Sequence, residues 1–318
     1  MLVVIVEVFN IQAGSSGSLL LELRKKQDWV IVFSTRQNIV WLEMDGRVFL
    51  MPLETKGKEL LYFHSISFCP RTKEFALSCE EYGKGIFRIY IMKLNDRRLR
   101  QLVTVSSPTS ISWSPDGSKL AFYENYHSTS KTMDLFLFDL SLKRKILICK
   151  KCIFAHALFP VSWAPDSKRF VFSFKNRSIV ITTDLGKSFQ ELTKGDAPSW
   201  SPDGSMIVYR DGLSGIRLMN NVTEYFIDGH NYYTISLKDF SKRFLLNGKA
   251  GLWKWESNFS YQVVWSPDGK YILYYRFYEG LKYKHKANIY IMRISDKEQI
   301  KFASVLDMLP GQIVWIHK

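Results

Sequence analysis

Short runs of alternating hydrophobic and polar residues recur along the chain and predict β-strands throughout. An apolar stretch ends in tryptophan, a polar turn follows, and a second alternating run comes directly after the turn. A third run and a shorter fourth run complete the unit. Successive side chains of a strand point to opposite faces, so this two-residue period is typical of half-buried strands. No segment shows a helical period of useful length, and an all-β chain is predicted.

The unit repeats, and its clearest marker is the motif W-[SA]-P-D. Weaker copies begin at Ser65 and Thr234, with Phe68 and Leu237 in the tryptophan position. The C-terminal string GQIVWIHK matches the first strand of a unit. Successive units lie about 40 residues apart, the span of one four-stranded propeller blade. The motif residues are Trp113, Pro115, Asp116 and Gly117, then Trp163, Pro165 and Asp166, then Trp200, Pro202, Asp203 and Gly204, then Trp265, Pro267, Asp268 and Gly269, and finally Trp315.

The chemistry of this motif predicts a structural role. Proline sets φ at the second position of a β-turn, aspartate suits the third, and glycine adopts the left-handed conformation that closes a hairpin. Each aspartate is expected to accept hydrogen bonds from amides of its own turn. Each tryptophan is expected to pack between neighbouring blades. Four equivalent aspartates also suggest a ring of metal ligands, but they would lie on separate blades, each serving its own turn.

The repeated W-S-P-D-G hairpin, followed by a third strand such as NIYIMRI, resembles the TolB-like (WD-like) β-propeller repeats. The same repeats occur in the propeller domains of prolyl-oligopeptidase-type peptidases. The resemblance runs from about residue 29 to the C-terminus. It implies one propeller over residues 29–318, behind a lead segment, residues 1–28, with an apolar strand-like run. It implies a fold and not an activity, because propellers host many functions.

The two ends of the chain predict how the ring closes. The run WVIVFS from Trp29 reads as a second strand, so its blade needs a first strand from elsewhere. The C-terminal run GQIVWI from Gly311 is preferred for that place over LLLEL from Leu19, because it carries Trp315 and leaves no open edge. GIRLMN from Gly215 is predicted to be a third strand. Seven blades are favoured, and six follow if the segment between residues 237 and 265 is an insertion.

Composition adds a basic charge and few cysteines to this picture. Lys and Arg number 44 against 30 Asp and Glu, a net charge of +14 that favours anionic partners such as an acidic polysaccharide. The basic residues are scattered, so nucleic-acid binding is not predicted. Four cysteines are too few for a disulfide scaffold. Cys149 and Cys152 form a C-x-x-C near His156, but the second pair usual for zinc is missing.

The histidines are the sharpest candidates for a site. In a propeller the W-S-P-D turns all lie on one face, which we call the turn face. The loops that lead into first strands, or join second to third strands, lie on the opposite face, here the loop face. Five of the six histidines map to the loop face, and His64, His156 and His230 precede predicted first strands. They are candidate metal ligands, but alternate blades would hold them apart. No catalytic residue, metal or cofactor is predicted.

Three classes of function follow. A noncatalytic propeller that binds a protein or peptide through its loop face is favoured. A metal-dependent lyase of an acidic carbohydrate is the alternative, and a peptidase propeller without its hydrolase is the third. A complete peptidase is excluded, since the chain has no G-x-S-x-G motif.

The N-terminus and the hydropathy pattern give a prediction of location. No apolar run approaches the ~20 residues of a membrane helix, so no transmembrane segment is predicted. The apolar start of the chain lacks the basic region of a secretory signal. The cytoplasm is therefore favoured, with export as the alternative.

Overall fold

The structure, a computed structural model, describes residues 6–8, 17–35, 38–51, 61–154, 159–175, 177–211, 213–219, 222–228, 230–248, 263–279, 285–306 and 313–318. Strands dominate these residues, as the alternating pattern predicts. One helix, α1, spans Gly17–Arg24, and a short 3₁₀ turn spans Asp184–Gly186. Within the described part of the chain, no helix has the length and apolar character needed to cross a membrane.

The strands follow in chain order. They are β1 (Val6–Val8), β2 (Trp29–Ser34), β3 (Ile39–Glu43), β4 (Val48–Met51), β5 (Leu61–Cys69), β6 (Glu74–Glu81), β7 (Ile86–Lys93), β8 (Asp96–Val105), β9 (Ile111–Trp113), β10 (Lys119–His127), β11 (Thr132–Asp139), β12 (Arg144–Phe154), β13 (Ser162–Trp163), β14 (Phe170–Phe174), β15 (Ser178–Thr183), β16 (Ser188–Lys194), β17 (Asp196–Trp200), β18 (Met206–Arg210), β19 (Leu213–Met219), β20 (Val222–Asp228), β21 (His230–Ser236), β22 (Lys242–Gly248), β23 (Val264–Trp265), β24 (Tyr271–Glu279), β25 (His285–Arg293), β26 (Gln299–Leu306) and β27 (Ile313–His317).

The described strands form a propeller of six antiparallel blades. From the innermost strand outwards, blade 1 is β27-β2-β3-β4, blade 2 is β5 to β8, blade 3 is β9 to β12 and blade 4 is β13 to β16. Blade 5 is β17-β18-β21-β22. Blade 6 is β23 to β26, with β1 added outside β26 as a fifth strand. The predicted propeller of four-stranded blades is confirmed, with the smaller of the two blade counts.

The preference for seven blades is wrong because the segment around Thr234 is not a separate unit. β18 pairs directly with β21, with Ile207 opposite Ile235, so β21 is the third strand of blade 5. Leu237, predicted to take a tryptophan position, lies in the turn after β21. The run from Gly215, predicted as the third strand, instead lies in β19, which pairs with β20 as a separate two-stranded hairpin. An inserted hairpin shows the same alternation as a blade strand, and only the pairing distinguishes them.

Ring closure by the C-terminal strand is confirmed. β27 pairs antiparallel with β2 from Trp29 opposite His317 to Phe33 opposite Ile313. The Trp29 ring lies 5.5 Å from that of Trp315 and 5.9 Å from that of Tyr271 in blade 6, both edge-on. The closing strand therefore joins blades 6 and 1 through packed aromatic rings as well as backbone hydrogen bonds.

The rival closing segment, LLLEL from Leu19, forms α1, so the expectation of a chain without helices is corrected here. Leu19, Leu20 and Leu23 are buried in the cluster between blades 6 and 1, whereas Leu21 is 61% exposed. This is helical spacing, since a strand would bury Leu19, Leu21 and Leu23 together. Glu22 anchors the helix through an ion pair with Arg293 at 2.6 Å. A run of five residues, four of them leucine, is too short for the sequence to distinguish a helical from a strand period.

The motif tryptophans lie at the blade interfaces. Trp113, Trp163, Trp200, Trp265 and Trp315 are 4–7% exposed. Each packs in a cluster shared with the preceding blade; Trp200, for example, joins Val171 of blade 4. The Trp163 indole N–H also donates to the Ser112 carbonyl of blade 3, at 3.2 Å. The repeat therefore encodes contacts between blades as well as hairpins within them.

The motif aspartates close their own turns. Each accepts a hydrogen bond from the amide two residues later, at 2.8–3.1 Å, the four being Asp116, Asp166, Asp203 and Asp268. Gly204 has φ +78° in its turn, the left-handed conformation that a hairpin of this kind requires. Ser167 takes the same position in blade 4 with φ +58°. These turns all lie on the turn face, away from the loop face.

Asp203→Ala is expected to lower the free energy of unfolding by about 1 kcal/mol at neutral pH through lost hydrogen bonds. Burial alone would raise the pKa of Asp203, but hydrogen bonds from Ser201 and Ser205 outweigh it and hold the pKa below its ordinary value of 3.8. A carboxyl whose pKa is lower in the folded than in the unfolded state stabilises the fold at pH values above its unfolded-state pKa. This contribution to stability is lost as the pH falls through the folded-state pKa. Urea unfolding at about pH 7 and about pH 3 measures the difference. A difference that persists undiminished at the lower pH would contradict the assignment.

Candidate binding surface on the loop face

The central channel is narrow and lined by the innermost strands of all six blades. Its cavity measures about 250 Å³, below the usual range of small-molecule pockets. The residue before each tryptophan position contributes to the wall: Ser67, Ser112, Ser162, Ser199, Val264 and Val314. Four hydroxyls therefore occupy one side of the channel and two valines the other.

The serine hydroxyls of the channel bind neighbouring strands. Ser67 Oγ of blade 2 accepts a hydrogen bond from the Trp113 amide of blade 3 at 3.0 Å. Ser162 Oγ of blade 4 accepts one from the Trp200 amide of blade 5 at 2.8 Å. Adjacent innermost strands have no backbone ladder between them, so these bonds satisfy otherwise unpaired amides. The channel wall therefore serves mainly to hold neighbouring blades together.

A buried ion pair lies at the loop-face end of blade 5, between its first and second strands. Arg210, at the end of β18, donates two hydrogen bonds to Asp196 at the start of β17, at 2.5 and 2.7 Å. Arg210 is 1% exposed, and its guanidinium carbon lies 5.2 Å from the Phe159 ring centroid. A fork-to-fork pair stacked on an aromatic ring fixes both side chains in one geometry. It joins the first and second strands of blade 5 and contacts the start of blade 4.

A β-bulge at the start of blade 5 positions Asp196 for this pair. The β17–β18 register shifts between Asp196 and Ser199, and Ala197 has φ +49°. Gly195 precedes the bulge with φ +146°, and a Cβ there would lie 2.4 Å from the Arg210 carbonyl oxygen. Only glycine at this position lets the backbone pass so close to Arg210. Sequence reasoning missed the pair, although a Gly-Asp step before the blade motif was a usable signal of irregular backbone.

The structure describes two of the three candidate histidines, His64 and His230, and places both within strands. His64 lies on the innermost strand of blade 2, with Nε2 3.3 Å from Glu80 Oε2. Burial lowers its pKa below the ordinary value, against the opposing effect of the Glu80 carboxylate. His230 begins the third strand of blade 5, so it does not lead into an innermost strand as expected. His156 lies outside the described residues. Among the residues that are described, no three His, Cys, Asp or Glu side chains group as a metal site requires.

A second histidine–carboxylate pair lies in blade 3. His127 Nε2 is 2.8 Å from Asp134 Oδ1, and Asp134 also accepts hydrogen bonds from Asn125 Nδ2 and the Lys151 amide. Burial opposes ionisation of Asp134, but these hydrogen bonds outweigh it and lower the pKa of the carboxyl. The pair orders the connection between β10 and β11 and the facing part of β12.

Exposed tyrosines distinguish the loop face of blades 2 and 3. Tyr82, after β6, is 56% exposed, and Tyr126, near the end of β10, is 49% exposed. The Tyr62 ring at the start of β5 lies 4.8 Å from that of Tyr82. Two residues before Tyr126 on β10, the buried Glu124 carboxylate pairs with Lys145 at 2.6 Å. Aromatic residues in polar connections were the signal that sequence reasoning overlooked.

Comparison with known proteins places this architecture. No family model and no curated protein matches the chain. Among solved structures, TolB from Acinetobacter baumannii is similar with a TM-score of 0.61 and 15% identity, over 91% of this chain and 67% of that one. The chain has a TolB-like β-propeller fold. The resemblance inferred from the W-S-P-D-G repeats is thereby confirmed.

Two further solved structures share this TolB-like fold. A putative TolB from Agrobacterium tumefaciens aligns with a TM-score of 0.55 and 14% identity, over 89% of this chain and 92% of that one. An oligogalacturonate lyase in complex with manganese aligns with a TM-score of 0.51 and 12% identity, over 88% and 74%. Identities of this size relate folds, and function has to be argued from the surface itself.

Proposed function

We propose that the chain is a noncatalytic propeller that binds a protein or peptide partner through its loop face. The observation that carries this proposal is the pair of exposed tyrosines, Tyr82 and Tyr126, on neighbouring blades. Tyrosine is enriched in protein interfaces and in their energetic hot spots, because it buries a large ring at little entropic cost. Two such rings on one face suit a polypeptide partner better than a small molecule.

The rigidity of the platform supports the same proposal. The ion pair of Arg210 and Asp196 fixes the loop-face end of blade 5, and pairing of β27 with β2 closes the ring. A surface that is ordered before binding loses less conformational entropy when a partner docks. The channel cavity of about 250 Å³ lies below the usual range of small-molecule pockets, so a polypeptide partner would dock outside it.

A double substitution tests the proposal. Tyr82→Ala with Tyr126→Ala is expected to weaken partner binding at least about tenfold, since hot-spot tyrosines each contribute more than 1.4 kcal/mol. Chemical crosslinking in extract of the source organism, quantified by mass spectrometry, identifies the proteins held by the wild-type chain. Affinity measurements with the purified partner follow.

The turn face provides the matched control. Leu142 and Phe240 lie in turns between third and fourth strands and are 57% and 52% exposed. Leu142→Ala with Phe240→Ala removes similar apolar area from the opposite face. It should leave the same partners bound. Loss of the partners from this variant and retention by the tyrosine variant would overturn the loop-face assignment.

The second candidate is a metal-dependent lyase of an acidic carbohydrate. The net charge of +14 favours a polyanionic substrate, and an oligogalacturonate lyase shares the fold. Metal analysis of the purified protein, with His156→Ala for comparison, distinguishes this candidate. Stoichiometric manganese or zinc that is lost on that substitution, together with cleavage of oligogalacturonate, would favour the enzyme over the binding module.

A further inference from the structure

We propose that Cys149 and Cys152 form a thiol–disulfide exchange site on the outer strand of blade 3. The pair would cycle between a dithiol and an intrachain disulfide, with low-molecular-weight disulfides as the oxidant. The proposal does not depend on the proposed binding of a partner through Tyr82 and Tyr126. Its support comes from backbone geometry, from the contacts of the two thiols, and from the contrast with the other two cysteines.

A bulge in β12 brings the two cysteines together. Cys149 lies opposite Leu135 and Ile153 lies opposite Met133, so four residue steps on β12 face two steps on β11. Four steps of a straight strand span about 13 Å, whereas two span about 6.6 Å. Cys152 lies inside this shortened segment, and its Sγ lies 3.4 Å from the Cys149 carbonyl oxygen, so the bulge holds the two cysteines next to each other.

The bulge is held by specific contacts. Lys151, inside the C-x-x-C, has φ +52°, and its amide donates to Asp134 Oδ1 at 2.7 Å. The Lys175 amide of blade 4 donates to the Cys152 carbonyl oxygen at 2.7 Å. These bonds fix the turn from both sides, so the two thiols are positioned before any reaction.

The two thiols differ in exposure and acidity. Cys152 is buried, and its thiol donates to the Cys149 carbonyl oxygen at 3.4 Å, whereas Cys149 is half-buried. When Cys149 is ionised, a hydrogen bond from the Cys152 thiol to the Cys149 sulfur lowers the pKa of Cys149 despite some burial, and the Lys175 cation adds to this effect. The same hydrogen bond, together with burial, raises the pKa of Cys152. Cys149 is accordingly the attacking thiol and Cys152 the resolving one.

The reaction is two successive exchanges. The Cys149 thiolate attacks one sulfur of a small disulfide R–S–S–R, and that S–S bond breaks. R–S⁻ departs, and Cys149 now carries the other half as a mixed disulfide. Cys152 then loses its proton and attacks the Cys149 sulfur, which releases the second R–S⁻. The two thiolates take up the two protons released by the cysteines. Two electrons pass from the pair to the small disulfide, which becomes two R–SH molecules.

Cys69 and Cys79 serve as internal controls. Cys69 is buried, with its thiol directed at the carbonyl oxygens of Ser114 and Pro115, at 3.8 and 3.6 Å. Cys79 is 1% exposed, and burial raises the pKa of its thiol. Both should resist modification in the folded protein, and their protection also reports that a variant is folded.

The test uses the full chain, oxidised glutathione and peptide mass spectrometry after alkylation. The wild-type chain should form a Cys149–Cys152 linkage while Cys69 and Cys79 stay reduced. Cys152→Ser should accumulate a glutathione adduct on Cys149. Cys149→Ser should form an adduct on Cys152 at least about tenfold more slowly, since Cys152 is buried whereas Cys149 is half-buried.

Two results would overturn the proposal. One is a wild-type chain that keeps Cys149 and Cys152 reduced in excess oxidised glutathione while Cys69 and Cys79 remain protected. The other is equal adduct formation by the two serine variants, which would remove the distinction between attacking and resolving thiol. Wild-type linkage mapping needs no variant, so the proposal is tested even where a substitution impairs folding.

Discussion

Removal of residues 311–318 is expected to unfold the whole ring. The deletion removes β27, which supplies the innermost strand of blade 1 and buries Ile313, Trp315 and Ile316. Burial of such side chains contributes about 1.5–3 kcal/mol each, and a domain of this kind is stable by only about 5–15 kcal/mol. The deletion also exposes the edge of β2, an apolar strand that can pair with other chains.

Thermal melting and size-exclusion chromatography check this result, with aggregation as the expected form of the truncated chain. The control removes residues 1–8 and with them β1, which pairs only outside β26 at the edge of blade 6. That chain should melt close to the wild type because the ring stays closed. A C-terminal truncation that melts like the parent would show that β27 does not hold the ring together.

Trp200→Ala is expected to lower the free energy of unfolding by about 3–5 kcal/mol, the usual cost of emptying a large aromatic side chain from a core. Trp200 is 4% exposed and packs between blades 4 and 5 against residues such as Val171 and Ile207. Its indole N–H donates to the Gly204 carbonyl oxygen at 3.2 Å, and the Arg169 guanidinium lies 5.3 Å from the ring. The substitution removes packing, a hydrogen bond and a cation–π contact together.

Chemical denaturation with circular dichroism measures this loss. Trp41→Ala is the matched control, because Trp41 lies on the third strand of blade 1 and is only partly buried. A smaller loss is expected there, since less apolar area leaves water on folding. Equal losses for the two variants would mean that the motif tryptophan has no special place between blades.

The exposed tyrosines and the buried Arg210–Asp196 pair were not predicted from the sequence. Asp196 and Arg210 are 14 residues apart, and their pairing depends on a β-bulge that the two-residue alternation does not predict. Tyr82 follows β6 and Tyr126 lies near the end of β10, and the exposure of neither can be read from its neighbours in the chain. His230 was assigned to the start of an innermost strand because an inserted hairpin displaced the register of blade 5.

The sequence by itself determined the blade, its hairpin and the closing strand. Turn chemistry and two-residue alternation are local properties, so the W-S-P-D copies and the C-terminal Trp315 were sufficient for these features. The number of blades and the helical state of the Leu19–Leu23 segment were decided only by the tertiary structure. Each depends on which strands pair and which faces become buried, and those are long-range choices that several local patterns satisfy equally well. The compressed C-x-x-C of β12 belongs to the same class, because only pairing with β11 shows that four residues occupy the space of two.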